Sequence, residues 1–254
     1  MPGKIQSIER AATILRLLSG RNRRLGVVEI AGEMGLPKGT VHGLLRTLQS
    51  VGFVEQDEDS AKYKLGAALL HMGSSYLDGN ELRTRALNWS DSLATRTREA
   101  VRIGTLHDNQ VLVVHHVFRP DDTLQTLDVG TLLPAHATAL GKVLLAHHPY
   151  VASALMAAGL EAYTEATITD PQRLERELSR VRAQGWAVEI GELVPGQVSY
   201  GAPIADRRGM TVGAMGIFGP PERLLAARQP RGDLLAYVRD GARAVSRELG
   251  AIPW

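Results

Sequence analysis

Two domains of different class are predicted: a small, mainly helical one at the amino terminus and a larger α+β one behind it. Three observations carry this. The chain has 254 residues, more than one module of about 100 to 200 residues needs. Its first quarter shows helical periodicity punctuated by glycines and then a short hairpin pattern. The charge is also divided unevenly. Within residues 1–53, Lys4, Arg10, Arg16, Arg21, Arg23, Arg24, Lys38 and Arg46 stand against Glu9, Glu29 and Glu33, a net +5 that leaves −3 for the rest of a chain totalling +2. A basic end on a mildly acidic body suits a protein that meets a polyanion at one end.

Composition narrows the chemistry. With 44% hydrophobic and 22% charged residues the chain can bury a sizeable core. It has no cysteine, which removes disulfides, zinc ribbons, iron–sulfur clusters and thiol nucleophiles. No run approaches the roughly 18 apolar residues of a membrane span. The first apolar stretch, 8–18, is interrupted by Glu9, Arg10 and Arg16 and does not read as a signal peptide. A soluble, cytoplasmic protein is expected.

Along the first quarter, Ser7 reads as the N-cap of a helix carrying Ile8, Ala11, Ala12, Leu15 and Leu18 at helical spacing until Gly20. After the basic loop 21–24 a second helix is predicted over Val27–Met34, closed by Gly35 with Pro37 just beyond. A third, Lys38–Ser50, sets Val41, Leu44, Leu45 and Leu48 on its apolar side and ends near Gly52. Two short helices around a tight glycine turn satisfy the helix-turn-helix pattern. The second helix of such a motif enters the major groove amino end first. Lys38, Gly39, Thr40, His42 and Gly43 therefore lie nearest the bases, with Arg46 at a phosphate or flanking base. Gly39 and Gly43 are poor helix formers that leave a thin surface for close approach. Strands at 52–56 and 62–66 around an acidic turn make a wing, with Lys62 and Lys64 on one face for phosphates and Tyr63 and Leu65 on the other. The same elements also describe a generic three-helix bundle with a hairpin.

The runs Ile5-Gln6-Ser7-Ile8-Glu9-Arg10-Ala11, Leu36-Pro37-Lys38-Gly39-Thr40-Val41-His42-Gly43-Leu44-Leu45-Arg46-Thr47-Leu48 and Gly52-Phe53-Val54 carry a resemblance. The chain resembles the isocitrate-lyase-regulator (IclR) family of bacterial transcription factors almost end to end. This implies a winged helix-turn-helix over 1–66, a linker helix over 67–80 and, over 81–254, a GAF-like sensor domain whose six-stranded sheet binds a small molecule. It also implies dimers, often paired into tetramers, on double-stranded operator DNA.

The remaining elements follow from pattern. Helices are predicted at 67–76 and 81–98, and a hairpin at 101–106 and 111–118 across 107–110. A further strand near 124–129 and a helix at 140–146 follow. Asp170 and Pro171 open a helix ending at Gly185. Strands at 186–190, 198–204 and 211–218 and a last helix over 233–249 complete an α+β domain with an antiparallel sheet.

An enzyme is the competing class, in the form of a metal-assisted hydrolase with a basic docking domain. Gly141-Lys142 lacks the rest of a Walker motif, Ser199 has the wrong glycine spacing for a nucleophile elbow, and 213–219 has the wrong interval for a dinucleotide fingerprint. His115 and His116 are adjacent in a strand and point to opposite faces. One of them with His136 is the remaining metal option. No catalytic residue, metal or cofactor is expected.

By the resemblance, a small carboxylate effector meets backbone amides at Ala139 and Leu140, where a helix amino terminus favours an anion in any case. The family's pocket acid falls on Glu189 and its polar strand side chain on Ser199, while two serines of some members correspond to Gly216 and Phe218. The alternative for the first two is a surface Glu and an ordinary strand Ser. Glu189 replaces the usual Asp, accepts hydroxyl hydrogen bonds and repels an anion. Glycerol 3-phosphate fits this division, with glycerol second. The expected function is a metabolite-responsive repressor of a catabolic operon, that of glycerol utilisation.

Overall fold

A computed structural model describes residues 5–20, 23–121 and 123–251. Arg21 of the basic loop, and Lys4, lie outside the described residues. The chain divides into two compact units, Met1–Gly79 and Asn80–Trp254.

The amino-terminal unit packs helices α1 (Gln6–Leu18), α2 (Val27–Met34) and α3 (Lys38–Ser50) against a hairpin of β1 (Val54–Gln56) and β2 (Tyr63–Leu65). Ser7 is not the N-cap of α1. Ile5 takes that position without a side-chain cap, because its carbonyl accepts the Ile8 and Glu9 amides at 3.0 and 3.3 Å, leaving Ser7 inside the first turn. The turn between α2 and α3 is made by Gly35 at φ +61°, a left-handed position that costs glycine little. Ile14, Ile30, Val41, Leu45, Val54 and Tyr63 form the buried centre. Leu25 adds a bridge to the wing, exchanging two backbone hydrogen bonds with Tyr63 at 3.1 and 2.8 Å. Helix α4 (Ala67–Asp78) closes the unit with no buried residue, and Leu70, Met72 and Tyr76 stay exposed.

The second unit is built on six antiparallel strands: β3 (Ala100–His107), β4 (Gln110–Val117), β5 (Leu132–Pro134), β6 (Ala187–Ile190), β7 (Val198–Ala205) and β8 (Thr211–Gly219). Their order is β5-β4-β3-β8-β7-β6. Side chains alternate across such a sheet. On β8, Gly213 and Met215 face α5 (Glu81–Thr97) and α10 (Gly232–Glu248), while Ala214 and Gly216 face α6 (Ala139–His147). Helices α7 (Pro149–Ala158) and α8 (Pro171–Gln184) extend the α6 layer. A short helix α9 (Pro221–Leu224) and a two-residue hairpin, β9 (Leu225–Ala226) with β10 (Gln229–Pro230), lead into α10.

The strand expected near 124–129 is absent. Leu124 is fully exposed, and the segment is tied down by side chains: Arg119 N–H donates to Gln125 Oε1 at 2.7 Å and Gln125 Nε2 donates to the Arg119 carbonyl at 2.8 Å. The chain rejoins the sheet only where Gly130 N–H meets the Val113 carbonyl, and β5 follows.

Candidate functional site

On α3, Lys38, Gly39, Thr40, His42, Gly43 and Arg46 are all exposed, whereas Val41, Leu45 and Leu48 are buried. A Cβ added at Gly39 or Gly43 would meet nothing within 4 Å, so both glycines thin an open face. The wing lysines are already engaged. Lys62 pairs with Glu29 and Lys64 with Glu55, each at 3.3 Å, and Arg24 pairs with Asp57 at 2.6 Å. Contacts to Lys62 and Lys64 holding Glu29 and Glu55 below the usual carboxylate range come second to backbone amides from Gly26 and Ala67. These pairs are half-exposed and solvent-screened, and such surface pairs hold weakly, so a phosphate can take the lysines over.

In the second unit the strand register assembles the other site. Glu189 lies opposite Ser199, and Ser199 opposite Phe218. The adjacent row runs from Gly201 through Gly216 and Arg102 to His116. Residues directly opposite share a face, so both rows lie beneath the amino end of α6. Ala139, Leu140, Glu189, Ser199, Gly216 and Phe218 all line one pocket, with Arg102, Leu133 and Thr138. The space between its atoms is about 330 Å³, but the centre of a water molecule fits in only about 20 Å³ of it, room for about one water.

The glycines explain why α6 sits so low. A Cβ on Gly216 would come within 2.2 Å of the Tyr200 carbonyl oxygen and 2.9 Å of Leu140 Cδ2, and one on Gly201 within 3.0 Å of Ala139. Thr138 caps α6 by accepting the Gly141 amide at 3.1 Å, and the first intrahelical bond is Lys142 N–H to the Thr138 carbonyl. The amides of Ala139 and Leu140 precede that bond, at the positive end of the helix.

Two charged groups of opposite sign complete the pocket. Glu189 is buried, and burial pushes its carboxyl above the ordinary range despite hydrogen bonds from Ser199 Oγ (2.7 Å) and from the Glu192 (2.6 Å) and Leu193 (3.4 Å) amides. Arg102 lies 3.4 Å from the centre of the Phe218 ring and donates to Asp128 Oδ2 from Nε at 2.9 Å and Nη2 at 2.6 Å. Burial lowers its pKa against the pull of Asp128. Behind Glu189 a buried ion pair joins Lys142 of α6 to Glu192.

Arg102, Asp128, Lys142 and Glu192 are not singled out by the sequence reading. Arg102 occupies a polar position in an alternating strand, and nothing local marks it. The histidines are spread apart. His116 Nδ1 accepts the Asp128 amide at 3.1 Å, His136 Nε2 is hydrogen-bonded to the Glu161 carbonyl at 2.9 Å, and His115 faces Arg83 and Asp91 of α5. Among the described residues no three His, Cys, Asp or Glu side chains gather to hold a metal.

This pair of architectures matches two family models, "IclR helix-turn-helix domain" over residues 7–58 and "Bacterial transcriptional regulator IclR C-terminal" over 74–247. The chain belongs to the IclR family. IclR proteins are transcriptional regulators that bind DNA and small-molecule effectors, so the hydrolase alternative falls. This IclR chain is 53% identical over 251 residues to the glycerol operon regulatory protein of Streptomyces coelicolor and 51% identical over 251 residues to that of Streptomyces griseus, covering 99% of each chain in both cases. Its fold is similar to the crystal structure of an IclR transcriptional regulator from Alicyclobacillus acidocaldarius, with a TM-score of 0.82, 27% identity and 98% of both chains covered. Among the described residues no helix is long and apolar enough to cross a membrane.

Proposed function

We propose that this IclR-type regulator represses an operon for glycerol utilisation in the cytoplasm and responds to glycerol 3-phosphate, with glycerol the weaker ligand. The observation that carries the effector is the split polarity of the α6 pocket. Arg102 and the Ala139 and Leu140 amides suit a phosphate, while Glu189 with Ser199 suits hydroxyls. The two Streptomyces relatives named for the glycerol operon support the regulon. Because the pocket has room for about one water, a ligand of this size has to displace side chains, and that movement is what a sensor needs.

On the DNA side, Lys38, Gly39, Thr40, His42 and Gly43 read bases, Arg46 meets a phosphate or a flanking base, and Lys62 and Lys64 meet phosphates. A single winged module reads a short half-site, so a homodimer is required for a palindrome, with tetramers formed by pairing. The apolar side chains that α4 exposes support its role as a linker helix and dimer element.

Calorimetric titration of the intact chain tests the pocket. Saturable binding of glycerol 3-phosphate is expected, weaker for glycerol, with at least about tenfold loss in Glu189→Ala, the scale of a hydrogen bond to a charged group. Failure of both ligands to bind, or an unchanged affinity in the variant, rejects the assignment.

A further inference from the structure

A second cleft on the sensor unit carries a charge pattern that the α6 pocket does not explain. His147 at the carboxyl end of α6, Arg182 near the end of α8, Pro203 of β7 and Arg239, Arg243 and Arg247 of α10 line it. The centre of a water molecule can occupy about 770 Å³ of it, within the roughly 300–1,000 Å³ of small-molecule sites. No Asp or Glu is among its lining residues.

Most buried and half-buried arginines of this unit find a carboxylate, as Arg102 does in Asp128, Arg223 in Glu99 and Arg231 in Asp233. In the cleft the half-buried Arg239 does not, and neither do the exposed Arg182, Arg243 and Arg247. Arg182 spends its Nε on the Ala146 carbonyl at 2.7 Å, and no described carboxylate lies within ion-pair distance of Arg239, Arg243 or Arg247. Of the acids on α10, Asp233 holds Arg231, Glu248 lies 4.0 Å from Arg85, and Asp240 lines an adjoining groove that Arg243 and Arg247 also border. Arg239, Arg243 and Arg247 recur every fourth residue, so like charges stack along one helix face, an arrangement that destabilises the helix by itself. His147 adds a buried Nε2 without a hydrogen-bond partner.

We propose that this cleft is a second ligand site, for a small anion bearing two or more phosphate charges. Guanidinium groups bind phosphate oxygens bidentately, and one monoanion would leave most of the four charges unopposed. The cleft is recessed between five elements, α6, α8, β7, β8 and α10, a shape that suits a compact phosphate compound better than the convex backbone of a duplex.

Calorimetry of the intact chain with inorganic pyrophosphate tests this. One saturable event per chain is expected, with affinity reduced at least tenfold in the Arg243→Ala/Arg247→Ala double variant. Both positions are exposed, and an unchanged melting temperature without ligand confirms that the variant folds. The proposal is overturned if pyrophosphate does not saturate or binds the double variant equally well. It is equally overturned if the double variant changes only the sedimentation mass or only the affinity for a random duplex, which would make the arginines a subunit or DNA surface.

Discussion

Glu189 is a carboxylate whose burial works against its charge, and that gives its stability contribution a sign. Its folded pKa is raised above the ordinary 4.5, so the folded state holds the proton more tightly than the unfolded chain. The contribution is fully present below the ordinary value and is lost as pH rises through the raised one. Glu189→Gln keeps an acceptor for the Glu192 and Leu193 amides and gains a donor for Ser199, yet carries no charge. Melting temperatures should therefore fall less as pH rises from just below 4.5 to 8 in this variant than in the wild type; parallel curves would show that Glu189 does not titrate as its burial requires. Gly216 is limited by space rather than charge. Gly216→Ala sets a Cβ against the Tyr200 carbonyl at 2.2 Å, which should cost about 1–3 kcal/mol in chemical denaturation, as overpacking does. At this scale the pocket was half legible. Glu189, Ser199, Gly216 and Phe218 are expected in the pocket only because the family resemblance implies those positions; they line it here. Arg102 and Asp128 are far apart in sequence, and only the β3 register and the irregular 124–129 segment bring them together.

Elements with their own start and stop chemistry were legible. Helix α8 begins with an Asp170 cap that accepts the Gln172 and Arg173 amides and ends at left-handed Gly185, and α2 and α3 run over the predicted residues. Helix α7 has no counterpart among the predicted elements, which leave 149–158 unassigned; Pro149 occupies the first turn of this helix, straight after α6. The 124–129 segment is not a strand: its apolar residues, Leu124, Leu127 and Val129, lack a regular alternation, and Gln125 ties it to the Arg119 backbone instead. Helix α3 allows a test that separates stability from recognition. Gly43→Ala meets no neighbour and should stabilise the amino-terminal unit by about 1 kcal/mol, while weakening operator binding measured by fluorescence anisotropy. Undiminished DNA affinity would mean that the α3 face does not approach the duplex. Arg46→Ala should weaken binding outright. Lys62→Ala should lower the slope of log affinity against log salt by about 1 with little change in sequence preference, since Lys62 has only to exchange Glu29 for a phosphate.

At the scale of the molecule, the near-neutral total of +2 conceals a strongly basic stretch over the first 53 residues, followed by an acidic stretch over 54–79 and a neutral remainder. The two compact units divide elsewhere, at Gly79 and Asn80: residues 1–79 carry ten basic and eight acidic side chains, because the acidic wing turn offsets the basic helices, and residues 80–254 carry nineteen of each. A regulator needs more than two sites: its effector must bind one DNA-competence state better than the other, since equal binding shifts nothing. Such coupling belongs to no single residue, and neither composition nor helical periodicity contains it. The most direct measurement is anisotropy of a duplex carrying a glycerol-operon promoter, titrated with the intact chain at fixed salt with and without saturating glycerol 3-phosphate. The account predicts that the metabolite weakens DNA binding severalfold and that Glu189→Ala loses this response while still binding the duplex. Identical DNA affinity with and without the metabolite would contradict it.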